Sequence, residues 1–262
     1  MTARDRGVGP HDRATHRRVR RDTWPAALAD FVVPLECAGC GRPRHRWCPG
    51  CAATLADPPI VVRTRADLRV PAWALARHAG PPARAVSSYK DRGRSDLARP
   101  LGAALATAVD HLRAAGEIAE AGERPTVLVP APASARARRR RGFDHVRDIV
   151  DVLAAELTAS PPAGPVVVAP LLEVRGRVRD ASGLGAQART DNLSGRIRRR
   201  PAGTTLRAST GAPGTVAELL STPATVLLVD DVVTTGATAA ECVAVLGAGG
   251  LRVSGVLAVT AA

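Results

Sequence analysis

A chain of 262 residues with 45% hydrophobic side chains can bury a substantial core, which excludes wholesale disorder. Aromatic residues make up only 2%, so Val, Leu and Ala must build that core. The formal charge of +13 favours anionic partners such as phosphates, nucleotides or nucleic acid, with a compositional drift of arginine over solvated faces as the competing reading.

In chain order, residues 1–23 read as a disordered basic tail. No apolar stretch following it has the form of a secretion signal, and no run approaches the ~20 apolar residues of a membrane-spanning helix. A cytoplasmic location without membrane insertion is the expectation. The apolar segment Trp24 to Val33 leads into a four-cysteine region, so that 24–56 forms a small unit of its own. Cys37, Cys40, Cys48 and Cys51 make two Cys-x2-Cys knuckles separated by seven residues. Four thiolates at this spacing close a tetrahedral site around a structural Zn²⁺ with no open position. A disulfide pair, disfavoured in the cytoplasm, and an iron–sulfur cluster are the alternatives. His45 lies between the knuckles as a bystander.

Residues 57–262 read as the main domain. Pro58-Pro59 breaks the chain before an apolar run, Val70 to Leu75, and Arg84 to Tyr89 reads as a strand. Tyr89 and Lys90 are the only tyrosine and the only lysine, and they are adjacent. In so biased a composition, two neighbouring rarities suggest a chemical requirement. Ser95 to Ala115 has helical spacing of Leu and Ala. Thr126 to Val129 reads as a buried strand, stopped by Pro130 and Pro132. The arginines from Arg136 to Arg141 are either a solvated loop or guanidinium forks matched to phosphate oxygens. Beyond them come a helix over Phe143 to Leu157 and a strand over Val166 to Leu172. Residues 174–222 read as loops with one short helix. A strand at Thr225 to Val229, a helix at Ala237 to Leu246 with Cys242 packed in the core, and a strand at Val253 to Val259 complete the order. Strands alternating with helices predict an α/β fold whose mainly parallel sheet is flanked by helices.

The most informative segment is Val226-Leu-Leu-Val229-Asp230-Asp231-Val-Val-Thr234-Thr235-Gly236-Ala237-Thr238. Two acids at the carboxyl end of a strand stand where open α/β sheets place ligands. The turn that follows opens a helix, whose free N–H groups and dipole attract an anion. Gly236 permits close backbone approach, and no Gly-Lys-Thr of a P-loop is present. Carboxylates directly before a phosphate cradle suit a ligand with hydroxyls beside its phosphate, as in a ribose 5-phosphate. The competing reading is an acid pair ending a strand, with Thr234 or Thr235 as a helix cap.

This segment resembles the phosphoribosyl pyrophosphate motif of type I phosphoribosyltransferases. Taken with Cys37-Ala-Gly-Cys40, Cys48-Pro-Gly-Cys51, Tyr89-Lys90-Asp-Arg-Gly93-Arg94, Val129-Pro-Ala-Pro132 and Arg140-Arg141-Gly142-Phe143-Asp144, the chain resembles the ComF (ComFC/GntX-like) family from about Trp24 to Thr260. The resemblance implies a type I phosphoribosyltransferase-like fold with a zinc knuckle. It also implies that Asp230 and Asp231 hold the ribose hydroxyls while Thr234, Thr235, Gly236, Ala237 and Thr238 hold the 5′-phosphate. Lys90 and Arg94 would lie near the pyrophosphate, with Ala131 and Pro132 in its binding loop and Arg141 beside it. Mg²⁺ would arrive with the substrate, and transfer would invert the anomeric carbon. Arg189 and Asn192 match an Arg-x-x-Asn pattern of the family, but Ala181-Ser-Gly-Leu184 stands where a glutamine is common, and Pro201 to Pro223 is longer than the family norm.

Two functions are open at this level. One is phosphoribosyl transfer by an enzyme. The other is a non-catalytic adaptor that binds single-stranded DNA or DNA-uptake proteins, the family being associated with bacterial DNA uptake. The low aromatic content offers few stacking platforms for a strand.

Overall fold

The computed structural model describes residues 36–161, 163–175, 195–201, 203–209 and 211–262. The basic tail, the segment Trp24 to Val33, Arg189 and Asn192 lie outside the described residues. Leu35–Ala262 forms one compact unit, so the cysteine segment belongs to the same body as the sheet.

The protein is α/β. Its main sheet has seven strands: β1 (Ile60–Val61), β2 (Ala72–Arg77), β3 (Thr126–Pro130), β4 (Val166–Val168), β7 (Arg207–Ala208), β8 (Thr225–Val233) and β9 (Gly255–Ala261). The order is β1-β2-β9-β8-β3-β4-β7, parallel from β2 to β4, with β1 and β7 antiparallel at the edges. A separate antiparallel pair joins β5 (Leu172–Val174) to β6 (Ile197–Arg199). The central strands are buried almost throughout, Leu128, Val129, Leu227, Val229, Leu257 and Val259 among them. That is why they read as unbroken apolar runs rather than alternating ones.

Seven helices are described: α1 (Pro49–Ala53), α2 (Gly80–Asp91), α3 (Ala98–Ala114), α4 (Ala135–Arg141), α5 (His145–Ala159), α6 (Val216–Ser221) and α7 (Ala237–Ala248). The expected strand at Arg84 to Tyr89 is instead the body of α2. Val86 and Tyr89 favour a strand locally, but Pro81 and Pro82 fit the first helical turn, where their missing N–H groups cost nothing. Pro82, Ala85, Val86 and Tyr89 then fall on one buried face at helical spacing. Similarly, the expected strand Val166 to Leu172 breaks at Ala169-Pro170 into β4 and β5. The helix predicted from Ser95 is a 3₁₀ turn, Ser95–Leu97, running into α3.

Helices α3 and α5 approach closely at Gly102. A Cβ there would meet Val152 Cβ at 2.6 Å and the Ile149 carbonyl oxygen at 2.8 Å. A carbonyl in a helix cannot swing aside. Gly102→Ala should therefore lose about 1–3 kcal/mol through overpacking, seen as a lower urea midpoint at unchanged slope.

Candidate functional site

Lys90, Ala131, Pro132, Arg141 and the Asp230 to Thr238 segment gather around the carboxyl ends of β3 and β8, whereas Arg94 does not. Strand β8 continues to Val233, beyond the expected end at Val229, because Asp230, Val232 and Val233 stay in register with Ala258, Thr260 and Ala261 of β9. The acid pair thus stands inside the last part of the strand. Next comes Gly236, at φ +81°, as the N-cap of α7. A Cβ on Gly236 would sit 2.6 Å from Thr64 Cβ, and the Ala66 amide donates to the Thr235 carbonyl at 3.0 Å. Residues 64–66 therefore wall one side of the turn, which no sequence signal announced. Ala237 N donates to Thr235 Oγ1 at 3.4 Å, Thr234 is exposed, and Thr238 is half-buried.

Asp231 is the hub. Its Oδ2 lies 2.9 Å from Lys90 Nζ and 3.0 Å from His145 Nε2, while Oδ1 accepts the Val232 amide at 2.9 Å. Burial alone would raise its pKa, but Lys90 and His145 outweigh burial and hold the carboxyl far below the usual range. Lys90 shows the mirror effect: burial works against its charge, and Asp231 holds its pKa above the ordinary value. Asp230 accepts the Asp231 amide at 2.8 Å. Burial, and then the negative charge of Asp231, push its pKa well up.

The neighbouring rarity, Tyr89, is fully buried and donates its hydroxyl to the His145 carbonyl at 2.8 Å. Its ring lies 5.4 Å from that of Phe143. Lys90 is thereby fixed on α2 one residue from an anchor to α5. His145 itself is a functional candidate that sequence reading missed, because its partner Asp231 is 86 residues away.

The arginine run is neither loop nor wholly solvated. Ser134 caps α4 by accepting the Ala137 amide, and Gly142, at φ +79°, ends the helix. Arg138 serves the loop before it, donating to the Ala133 carbonyl at 2.7 Å. Arg141 turns inward and is 10% exposed. Its Nη1 is 3.4 Å from His145 Nδ1, its Nη2 is 3.8 Å from Asp91, and its Nε is buried without a partner. Ala131 donates its amide to the Val229 carbonyl at 2.8 Å, which sets the Ala131-Pro132 loop beside the acid pair. His78, at the end of β2, pairs Nδ1 with Thr260 Oγ1 at 2.8 Å. Burial lowers its pKa, and the charges of Asp231 and Lys90 both reach it.

Arg94 has other work. It forms an ion pair with Asp96 at 2.8 Å and donates to the carbonyls of Glu36 (3.1 Å) and Arg46 (3.0 Å). Its donors tie the cysteine segment to the main body, and Arg84 Nε adds a bond to the Gly39 carbonyl.

The cysteine cluster is assembled as the spacing predicts. The sulfur atoms of Cys37, Cys40, Cys48 and Cys51 lie within 4.8 Å of one another, and all four are free thiols rather than disulfides. Cys40 Sγ and Cys48 Sγ are 3.6 Å apart, close to the ~3.8 Å expected between thiolates bound at ~2.3 Å around a tetrahedral zinc. The Cys48 amide donates to Cys37 Sγ at 3.3 Å. Burial acts to raise the Cys37 thiol, yet the backbone amides of Cys40, Cys48 and Gly39 bring it down to about 6, in favour of the metal-binding thiolate. A Cβ on Gly39 would meet Cys51 Sγ at 2.7 Å, so the turn needs glycine. The four side chains fit a structural metal such as zinc. His45 is half-buried and bonded to the Pro43 carbonyl, outside the cluster.

Among the described residues no helix is long and apolar enough to cross a membrane. No protein-family model matches the chain, and comparison with curated proteins finds no match.

Proposed function

We propose that this protein binds phosphoribosyl pyrophosphate with Mg²⁺ through a type I phosphoribosyltransferase-like fold, and that the site is built for phosphoribosyl transfer. The observation that carries the reading is the juxtaposition at the end of β8: an acid pair with Asp231 buried and Asp230 half-buried, a glycine-opened helix N-terminus shortly after it, and two cations, Lys90 and Arg141, brought in from α2 and α4. The turn from Thr234 to Thr238 takes the 5′-phosphate, with backbone N–H groups as donors. The acids take the ribose hydroxyls through charge-assisted hydrogen bonds. The pyrophosphate lies toward Lys90, Arg141 and the Ala131-Pro132 loop.

In the transfer, the bond between the anomeric carbon and the pyrophosphate oxygen breaks with both electrons leaving on pyrophosphate. A lone pair of the acceptor forms the new bond on the opposite face. Lys90 and Arg141 stabilise the charge that develops on the leaving group, the largest effect available to a site of fixed charges. Mg²⁺ would enter on the ligand's phosphate oxygens and supply further neutralisation. Arg94, committed to Asp96 and the cysteine segment, is left out of this set.

The adaptor reading gains little from the described surface. Trp73 and Tyr89 are buried, and Trp47 and Phe143 are half-buried against the core, so among the described residues no aromatic ring is fully exposed as a stacking platform. If the proposal is right, saturating phosphoribosyl pyrophosphate with Mg²⁺ raises stability by mass action, by about 2.7 kcal/mol at a hundred times its dissociation constant. Thermal melting reads this directly. A melting temperature unmoved by millimolar ligand refutes it.

A further inference from the structure

We infer that the two acids do different work: Asp231 is a positioning residue, held by His145, that aims Lys90, whereas Asp230 is the carboxylate that accepts the ribose hydroxyls. This rests on the ribose-phosphate reading above and divides its acid pair.

Successive side chains of a strand point to opposite faces of the sheet. Asp231 faces α2 and α5, where it meets Lys90 and His145. Asp230, the preceding residue of the strand, is directed to the other face and is half-buried, and its charge bears on Cys242 of α7 as well as on Lys90. Helix α7 is the one that the phosphate turn opens. A ribose phosphate seated on that turn therefore presents its hydroxyls on the side of Asp230.

Asp231 also has little left to offer. A carboxylate has roughly four lone-pair sites. Lys90 and His145 take two on Oδ2, the Val232 amide takes one on Oδ1, and the side chain is only 6% exposed. A ligand would have only the one remaining site on Oδ1, in a side chain almost closed to solvent, unless Lys90 or His145 were released. The His145 ring is fixed from both ends. The Arg141 guanidinium can only donate, so Nδ1 accepts from it and Nε2 carries the proton given to Asp231. The carbonyl of the same residue holds Tyr89, the neighbour of Lys90. His145 thus sets both the carboxylate that grips the ammonium and the helix that carries it. Beside them, Arg141 keeps a buried Nε without a partner, and its charge bears on Lys90. Lys90 is paired with Asp231 and Arg141 with the exposed Asp91 at 3.8 Å, but the unpartnered Nε of Arg141 beside the part-exposed Lys90 offers an anion two donors, which is the place of the pyrophosphate.

Isothermal titration of ribose 5-phosphate and of magnesium pyrophosphate, each alone, separates the roles. Asp230→Asn should weaken ribose 5-phosphate by about tenfold or more and pyrophosphate far less. Asp231→Asn and Lys90→Met should each weaken pyrophosphate by about tenfold, and Asp231→Asn should add less than about twofold in the Lys90→Met background, because the two act as one unit. His145→Ala should behave as Asp231→Asn does, and His145→Gln, which restores an N–H donor, should recover most of the loss. Should His145→Ala fail to fold, the Lys90–Asp231 cycle decides. Wild-type protein that does not bind ribose 5-phosphate overturns both this inference and the reading it rests on. Wild type that binds ribose 5-phosphate, but with equal losses in the two Asn variants, no binding of pyrophosphate, or additive Lys90 and Asp231 effects, overturns this inference alone.

Discussion

Changing both Asp230 and Asp231 to Asn should abolish the stabilisation by phosphoribosyl pyrophosphate, a loss of about 2.7 kcal/mol at a hundredfold excess over the dissociation constant, while the chain stays folded. An amide keeps the shape of the carboxylate but loses the charge that strengthens hydrogen bonds from hydroxyls. Two opposing effects protect the fold. Removing Asp230's charge relieves a carboxyl that burial and its neighbour already push toward the neutral form. Removing Asp231's charge strips Lys90 of its counter-ion. The lysine side chain is 34% exposed, however, and can carry its ammonium toward water along its own stem. Circular dichroism and a melt without ligand check the fold; the melt with ligand checks the site. A double variant that is stabilised as strongly as wild type would make the acids structural.

The strand, the Gly236 turn and the helix after it were legible in the sequence because their parts are contiguous. The apolar strand, the acids, the glycine at positive φ and the helix that follows occupy one stretch of chain, Thr225–Ala248. The cysteine cluster was legible for the same reason, since spacing alone brings its thiols together. What was not legible depends on distant contacts. Nothing near His145 announces that it meets Asp231, and nothing in residues 64–66 announces that they wall the Gly236 turn. Strands β6 and β7 were missed because segments of two or three residues rich in arginine carry no apolar period; neighbouring strands hold them in register. The contacts of Arg94 likewise depend on the folded chain. A place in a motif fixes its position in the chain, but Asp96 and two carbonyls decide where its guanidinium goes. In α2 the local preference for strand lost to a buried face that only the folded chain supplies.

The cysteine segment should lose its metal and its order together. With zinc present, one ion per chain is expected, and Cys37→Ser should lower its affinity by more than about 100-fold, the upper end of what second-shell changes alone cost. Cys37 is the ligand to choose: it is buried, it accepts the Cys48 amide, and the surrounding backbone amides favour its thiolate, so serine replaces a sulfur ligand with a hydroxyl. Residues 36–56 contribute few large apolar side chains of their own, with Leu55 and Trp47 packed against the core of the main body. Without the metal, the segment keeps the packing of Ala38, Leu55 and Trp47 and the bonds of Arg84 to Gly39 and of Arg94 to Glu36 and Arg46. Local opening is then the expected result rather than global unfolding, because the sheet shares none of the thiols. Hydrogen exchange should accelerate over 36–56 and leave β8 and β9 protected. Native mass spectrometry gives the ion count and its identity, zinc or an iron–sulfur cluster. Zero metal in a preparation whose four thiols are all reduced would remove the closed-site reading. Exchange that accelerates equally across β8 would show instead that the metal supports the whole fold.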